Sequence, residues 1–231
     1  MNFVCSDLHG NDKKYRAMLE KIRLGSDDRL FVLGDVIDRG KDGVQILRDM
    51  RDRPNIFPIL GNHELTAAMC LPQLLEEVTE RSLAGLDDAW VAGLSEWVMN
   101  GGGPTLQALN RLSREERGQI LEYIRDMALY EEVEVEAGGR TFVLVHAGLG
   151  NFSPDKPLED YELTELLLGR PREDGVYYRD KTVILGHTPT RLLGGKDKIL
   201  FRGTMIGVDC GCGFGGPLGC LCLETMEEFY V

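Results

Sequence analysis

All four histidines of the chain lie in short polar segments that also carry a glycine or a carboxylate. These segments are Asp7-Leu8-His9-Gly10, Gly61-Asn62-His63-Glu64, His146-Ala147-Gly148 and Gly186-His187-Thr188, and a fifth, Gly34-Asp35-Val36-Ile37-Asp38-Arg39-Gly40, adds carboxylates and an arginine. A single histidine more often makes a structural hydrogen bond. The concentration of all four in such segments indicates metal binding or catalysis.

The mixture of carboxylate, amide and imidazole groups predicts a site for divalent cations such as Mn²⁺, Fe²⁺ or Zn²⁺. Histidine is too abundant here for a Ca²⁺ site, and these segments lack the thiolates of a structural zinc site. Because the candidate ligands outnumber those of one ion, we expect two. Two cations about 3.5–4 Å apart are the arrangement that catalyses phosphoryl transfer to water.

Each polar segment follows a short apolar run that is typical of a β-strand, over residues 2–6, 29–33, 55–60, 141–146 and 182–185. Apolar residues with helical spacing separate the first three runs: Tyr15, Met18, Leu19 and Ile22, then Val44, Ile46, Leu47 and Met50. The order is β-α-β-α-β. Ligands of open α/β sheets bind beyond the carboxyl ends of the strands, so we expect the five segments to converge on one site.

The remainder of the chain predicts a helical insertion at about residues 64–130 and a return to strands after it. Ser113 and Glu116 form a capping-box pattern that opens one of the helices. Strands are predicted over residues 131–137, 199–201, 205–208 and from 221 to the C-terminus, with a short helix over 161–168. We therefore predict an α/β fold in a single domain spanning residues 1–231.

Composition narrows the class of protein further. The 231 residues are 43% hydrophobic, and 26 basic against 38 acidic side chains give a net charge of −12. This excludes a disordered, collagenous or coiled-coil chain and disfavours nucleic acid as a partner. No apolar stretch approaches the roughly 20 residues that span a bilayer, and the N-terminus lacks the basic region of a signal peptide. We expect a cytoplasmic protein with no membrane partner.

Two Cys-X-Cys pairs near the C-terminus, Cys210/Cys212 and Cys220/Cys222, have two interpretations. They could form a zinc site or a disulfide, or they could be core residues of a hairpin. We favour the hairpin core, because residues i and i+2 share one strand face and zinc ligands are usually spaced Cys-X₂₋₄-Cys. Cys5 and Cys70 lie in apolar stretches and are predicted to be packing residues.

The five polar segments together resemble the calcineurin-like metallophosphoesterases, most closely the phosphoprotein-phosphatase branch with its small bacterial and phage serine/threonine phosphatases. The stretch Trp97-Val98-Met99-Asn100-Gly101-Gly102-Gly103-Pro104-Thr105 is also similar to one in the bacterial members. About fifteen positions match in the right order between Asp7 and Gly211. The resemblance implies a layered αββα sandwich, two facing mixed β-sheets flanked by helices, with the helical insertion.

The resemblance also implies roles for individual residues. Asp7 and His9 would hold one metal ion, Asn62, His146 and His187 the other, and Asp35 would bridge both. Mn²⁺ is favoured for both ions, and Fe²⁺ and Zn²⁺ are also compatible. A hydroxide activated by the two ions would attack phosphorus in line.

The same resemblance assigns the groups that handle the substrate. Arg39 and Asn62 would bind its phosphate, while His63, oriented by Asp38, would protonate the leaving oxygen. Glu64 would support the ligands or simply place charge at a helix N-terminus. The family has a second phosphate-binding arginine, for which Arg170 fits best and Arg172 and Arg179 are alternatives; the aromatic residue that usually precedes it is replaced here by Leu168-Gly169.

These features favour a phosphomonoesterase, and specifically a serine/threonine or dual-specificity protein phosphatase acting on phosphoproteins or small phosphomonoesters. The alternative is a dinucleoside tetraphosphate hydrolase of the same superfamily. Those relatives tend to have Gly-Asn-His-Asp, so Glu64 argues for the phosphatase. A phosphodiesterase ranks third, because a diester offers fewer oxygens to the arginines. A non-catalytic metal-binding protein ranks last, because no expected ligand is missing.

Overall fold

Ten strands form two five-stranded β-sheets in the computed structural model, which describes residues 1–76, 87–136 and 138–231. The first sheet contains β1 (Asn2–Cys5), β2 (Arg29–Leu33), β3 (Ile56–Ile59), β9 (Gly219–Cys222) and β10 (Glu228–Tyr230), in the order β10-β9-β1-β2-β3. The second contains β4 (Tyr130–Val135), β5 (Arg140–Val145), β6 (Lys181–Leu185), β7 (Leu200–Arg202) and β8 (Met205–Gly207), in the order β4-β5-β6-β8-β7.

Helices connect and cover the sheets, and within the described residues they are α1 (Asp12–Ile22), α2 (Gly43–Arg51), α3 (Asn62–Leu75), α4 (Asp88–Trp97), α5 (Gly103–Leu109), α6 (Arg114–Arg125) and α7 (Leu163–Leu167). A π-helical turn, Val98–Gly102, joins α4 to α5. Short 3₁₀ turns cover Leu158–Asp160, Thr190–Leu193 and Cys212–Phe214. The capping box predicted for α6 is present, with both hydrogen bonds between Ser113 and Glu116.

Successive side chains of each strand face opposite sides of the sheet, and this alternation builds the layers of the fold. On β1, Val4 joins an apolar cluster that contains side chains of both sheets, including Phe31 and Phe142. Phe3 and Cys5 point the other way, into a cluster with helices α1, α2, α3 and α6. Because successive side chains of a strand face opposite sides, each sheet buries one face against the other sheet and one against helices or loops. The predicted sandwich of two facing mixed sheets is confirmed.

The direction of the strands brings the polar segments together. β1 pairs in parallel with β2 and β2 with β3, while β5 pairs in parallel with β6 and β6 with β8. The strands of each parallel group therefore have their carboxyl ends at the same edge of their sheet. The five polar segments follow strands of these two groups, so three of them lie at this edge of the first sheet and two at this edge of the second.

The hairpin predicted for the late cysteines is wrong, although their place in the core is right. β8 and β9 belong to different sheets, so the chain between them crosses from one sheet to the other and forms no hairpin. Cys210 packs between the sheets, while Cys212, Cys220 and Cys222 pack in the helix-covered cluster. All six cysteines are free and buried. The predicted strand from residue 221 to the C-terminus is two strands, β9 and β10, joined by a turn.

The helical insertion lies in the chain between β3 of the first sheet and β4 of the second. α3 to α6 occupy its described part; residues 77–86, and residue 137 at the end of a predicted strand, lie outside the described residues. Within the part of the chain that the structure describes, no helix is long and apolar enough to cross a lipid bilayer.

Candidate metal centre and its cleft

The predicted metal ligands meet where the two sheets face each other. Asp7 and His9 follow β1, Asp35 follows β2, Asn62 follows β3, His146 follows β5 and His187 follows β6. Two groups of side chains have potential ligand atoms within 4.8 Å of one another: His9, Asp35 and His63 form one, and Asp35, His146 and His187 form the other. Asp35 belongs to both groups, which is the position that a bridging carboxylate requires.

Distances within the cluster suit two cations that share Asp35. Its Oδ2 lies 3.7 Å from Nε2 of His9, and its Oδ1 lies 3.5 Å from Nε2 of His146. The Asn62 Oδ1 atom is 2.9 Å from His146 Nε2 and from His187 Nδ1. Asp7 Oδ1 is 4.0 Å from His9 Nε2. The atoms that face one another are those with lone pairs, and these residues therefore fit a pair of divalent ions.

The electrostatics of the cluster also fit cations. Burial raises the pKa of Asp7 well above its usual value, and the neighbouring carboxylates of Asp209 and Asp35 raise it further. Burial lowers the pKa of His9 and of His187 to about 4, so both rings are neutral at pH 7 and keep a lone pair for a metal. A divalent cation would relieve the repulsion among these buried carboxylates.

Backbone contacts fix which nitrogen of the His9 ring and of the His146 ring faces the centre. Nδ1 of His146 lies 2.7 Å from the carbonyl oxygen of Leu33, and Nδ1 of His9 lies 3.1 Å from that of Ile37. In both rings this leaves Nε2 directed at Asp35. Such contacts orient the imidazoles before a metal binds.

The chain reaches this geometry through left-handed backbone conformations that residues other than glycine rarely adopt. The six predicted site residues with positive φ are Asp7, His9, Asp35, Asp38, Arg39 and His187. Gly34, at φ 74°, precedes Asp35, and a Cβ atom there would approach the Cα of Gly61 to 2.5 Å and Nδ1 of His146 to 2.7 Å. Strain of this kind persists only where the surrounding structure over-determines it, as in functional sites.

His63 and Asp38 form the pair that the sequence predicted. The His63 Nδ1 atom is 2.6 Å from Asp38 Oδ2, and both side chains are buried. Burial alone would lower the pKa of His63, but the hydrogen bond to Asp38 and the charge of Asp35 raise it above its usual value. His63 also belongs to one of the two potential ligand groups, since its Nε2 lies 3.8 Å from Asp35.

Glu64 binds the loop after β2 and does not line the cleft. Its two carboxylate oxygens accept hydrogen bonds from the backbone N–H groups of Asp35, Val36 and Ile37 at 2.8–3.0 Å, and the residue is fully buried. It therefore holds the loop after β2 that carries Asp35, Asp38 and Arg39. A side chain in this position cannot touch a substrate. Glu64 therefore does not select a substrate by direct contact.

A cleft of about 380 Å³ opens beside the cluster. Its inner wall contains Arg39, Asn62, His63 and His187, and its outer wall contains Asn100, Pro189, Arg191, Leu192 and Phe214. Two arginines therefore face this cleft. We predicted Arg39 and missed Arg191, because Arg191 stands in a 3₁₀ turn after Thr188-Pro189, without a motif of its own.

The predicted second phosphate-binding arginine does not line this cleft. Arg170 is exposed. Its positive charge adds to the effect of burial in lowering the pKa of His187. Arg172 forms an ion pair with Asp174 at 2.9 Å, and Arg179 is exposed. The phosphate-binding role of Arg170 remains a prediction.

Asp209 is a buried carboxylate beside the cluster, and it is not one of the predicted site residues. It follows β8, and burial raises its pKa to about 6. Its Oδ1 accepts a hydrogen bond from the backbone N–H of Gly211 at 2.8 Å. The rule that located the other five segments, a polar residue directly after a predicted strand, would also have found Asp209.

Comparison with known proteins gives a family match over most of the chain. The model of the calcineurin-like phosphoesterases matches residues 3–200. A bis(5'-nucleosyl)-tetraphosphatase PrpE, asymmetrical, of Halalkalibacterium halodurans is 25% identical and matches over 97% of this chain and 90% of its own. A serine/threonine-protein phosphatase 2 of Salmonella typhimurium is 26% identical but covers 66% of this chain and 61% of its own.

Further similar proteins include symmetrical bis(5'-nucleosyl)-tetraphosphatases, such as one from Nitrosospira multiformis, of which this chain covers 43%. Among solved structures, one provisionally assigned as a diadenosine tetraphosphatase superposes over all of this chain and 92% of its own, with a TM-score of 0.70 and 16% identity. At that identity the similarity establishes the fold alone.

Proposed function

Because the chain belongs to the calcineurin-like phosphoesterase family and is a metal-dependent phosphoester hydrolase, we propose that its substrate is a bis(5'-nucleosyl) tetraphosphate. The observation that carries this proposal is the end-to-end similarity to a bis(5'-nucleosyl)-tetraphosphatase over 97% of the chain. The two arginines of the cleft support it, since a polyphosphate offers anionic oxygens to both.

The expectation of a serine/threonine protein phosphatase is wrong. Similar proteins of known name are mostly bis(5'-nucleosyl)-tetraphosphatases, including the one that matches end to end. The expectation depends on the Gly-Asn-His-Glu and Asp-Arg-Gly motifs and on the resemblance to the phosphatases, and Glu64 is the residue that weighs against a tetraphosphatase. Its carboxylate holds a backbone loop and does not line the cleft, so Glu64 does not select the substrate by direct contact.

If the cluster holds two divalent cations, they would supply an activated water for attack on phosphorus and would offset phosphate charge. We propose Asp7 and His9 as ligands of one ion, Asn62, His146 and His187 as ligands of the other, and Asp35 as the bridge. Mn²⁺ remains the favoured ion for this set of ligands.

The chain's own groups bind the phosphate and supply a proton. The Arg39 Nη2 atom lies 3.5 Å from His63 Nε2, so a phosphate held by Arg39 places an ester or anhydride oxygen next to that nitrogen. Asp38 binds Nδ1 of the same ring and directs Nε2 to the cleft. We propose that His63 donates a proton from Nε2 to the leaving oxygen.

A small anionic substrate agrees with the composition. The net charge of −12 repels nucleic acid at long range, while Arg39 and Arg191 give the cleft a local positive charge. We propose a nucleotide as the partner of this site, in a cytoplasmic protein, with neither nucleic acid nor membrane involved.

The test is hydrolysis by the Mn²⁺-loaded protein of diadenosine tetraphosphate, a phosphothreonine peptide and an aryl phosphate monoester, each with a chelator control. We expect kcat/KM to be highest for the dinucleotide, and nucleotide chromatography to show either ATP with AMP or ADP alone. Release of phosphate from the peptide with a higher kcat/KM than for the dinucleotide would contradict the proposal.

A further inference from the structure

We infer that Phe214 and Arg191 form a nucleoside-binding subsite at the mouth of the cleft, in which a base stacks on the Phe214 ring and the phosphates next to that nucleoside lie against Arg191. This inference rests on the proposed function and adds the part of the protein that recognises the nucleoside.

Phe214 is an aromatic ring held out into the cleft. It is 58% exposed although it follows Cys212, which is buried. The turn that carries it is fixed by hydrogen bonds from the N–H groups of Phe214 and Gly216 to the carbonyl of Gly211, at 2.9 and 2.8 Å. A large apolar side chain on such a fixed turn leaves its surface available to a ligand, and burying that surface would be favourable.

Two guanidinium groups lie over part of the Phe214 ring, and the residue still keeps 58% of its surface exposed. The Cζ of Arg39 lies 4.3 Å from the centroid of Phe214, and the Cζ of Arg191 lies 5.5 Å from it. Arg39 connects this ring to the catalytic side of the cleft through its contact with His63. A base that packs on the exposed part of the Phe214 ring therefore lies next to both arginines, and Arg39 leads from there to His63.

Arg191 is placed for an anion outside the reacting phosphate. It stands in the 3₁₀ turn Thr190–Leu193, shortly after His187, and its Nε is 3.5 Å from an Asp197 oxygen. Both members of that ion pair are more than a third exposed, so the pair is weak and the guanidinium remains accessible to phosphate. The adjacent Leu192, 71% exposed, adds an apolar surface to the same wall.

The combination of these groups selects a nucleotide. An exposed aromatic ring and a leucine offer surface to a planar base, and base–aromatic stacking tolerates any base. The arginines match phosphate oxygens in pairs. The cleft, at about 380 Å³, lies at the small end of ligand pockets. We therefore place one nucleoside of the substrate in it and the second outside it.

The test compares Phe214→Leu with Phe201→Leu, a control that removes a ring of similar exposure, 45%, from β7, away from the cleft. For each variant, kcat/KM is measured on diadenosine tetraphosphate and on inorganic tetraphosphate, which has no base. We expect Phe214→Leu to lower the ratio of kcat/KM on diadenosine tetraphosphate to kcat/KM on inorganic tetraphosphate by roughly 10- to 100-fold. The change should come mainly from a higher KM for the dinucleotide. Phe214→Trp should retain the ratio of the unmodified protein, because the indole ring can also stack on a base. An unchanged ratio in Phe214→Leu would overturn the inference.

A binding measurement separates this inference from the proposed function. Calorimetric titration of the Mn²⁺-loaded protein, in buffer that keeps Mn²⁺ in excess, should show tighter binding of ATP than of tripolyphosphate, and Phe214→Leu should remove the difference. If the dinucleotide is not hydrolysed but ATP binding depends on Phe214, the function is wrong and the subsite stands. If the dinucleotide is hydrolysed and neither measurement depends on Phe214, the function stands and the subsite is wrong.

Discussion

The indole Nε1 of Trp97 donates a hydrogen bond of 2.8 Å to Asp38 Oδ2, the same oxygen that lies 2.6 Å from His63 Nδ1. Thr105 Oγ1 donates to the other oxygen of Asp38 at 2.6 Å. The carboxylate is thus fixed by side chains from the helical insertion. That insertion therefore does more than cover the sheet: it sets the orientation of the proposed general acid.

Replacing Trp97 by Phe should weaken catalysis while leaving the metal site intact. Asp38 would lose one charge-assisted hydrogen bond, and we expect kcat on the dinucleotide to fall about tenfold, which corresponds to about 1.4 kcal/mol. Steady-state kinetics checks this. The control is Trp90→Phe, because Trp90 donates instead to the Cys70 carbonyl. Equal losses in the two variants would contradict the positioning role of Trp97.

Replacing His63 by Asn should slow turnover by roughly 10²–10⁴-fold with metal content unchanged, because the variant lacks the proton donor. The loss should be smallest on aryl esters, whose leaving groups need little protonation. Since His63 also lies among the potential ligands, metal analysis by plasma emission is essential. Loss of one ion per protein would show that His63 is a ligand rather than the acid.

Replacing Asp35 by Asn should abolish metal loading and activity together, because Asp35 belongs to both ligand groups and an amide lacks the negative charge that two cations require. Metal content and hydrolysis of the dinucleotide are measured on the same preparation. Asp52→Asn, at an exposed carboxylate, is the matched control and should retain both. A variant at Asp35 with full metal content and turnover would show that no ion depends on this carboxylate.

Replacing Glu64 by Asp should destabilise the protein without changing its substrate preference. The shorter side chain cannot reach all three N–H groups, and each buried donor left unpaired costs about 1–3 kcal/mol. Denaturant unfolding should show this loss, whereas Glu115→Asp, on the exposed face of α6, should change the free energy of unfolding by less than about 0.5 kcal/mol. A shift in kcat/KM from peptide to dinucleotide would restore Glu64 as a specificity residue.

The cysteines should be unreactive in the folded protein. Burial raises the pKa of Cys5 and of Cys210 to about 12, so at pH 8 both are protonated, and thiolate forms only as the pH approaches that value. A disulfide reagent should modify fewer than about one thiol before unfolding and all six after it. Replacing the last four by Ala should leave the catalytic metal in place. Loss of one zinc equivalent with activity retained would support the zinc interpretation.

The sequence alone predicted an α/β fold and the polar residues that meet at the ends of its strands, and the family resemblance added the two facing sheets. Apolar runs that stop at Asp7, Asp35, Asn62, His146 and His187 are local patterns, and the carboxyl ends of parallel strands converge by geometry. Family motifs then identified the reaction class. These features depend on residue type and spacing, which a sequence displays directly.

Other features required contacts between residues far apart in the chain. The separation of β8 and β9 into different sheets depends on pairing partners, which the spacing of Cys210 and Cys220 does not encode. Phe214 and Arg191 face one cleft only because their turns fold over it. The function of Glu64 depended on where its carboxylate points. Chemistry at strand ends was therefore visible in the sequence, whereas the walls of the cleft were decided by tertiary packing, because side-chain direction and long-range pairing are set by the whole fold.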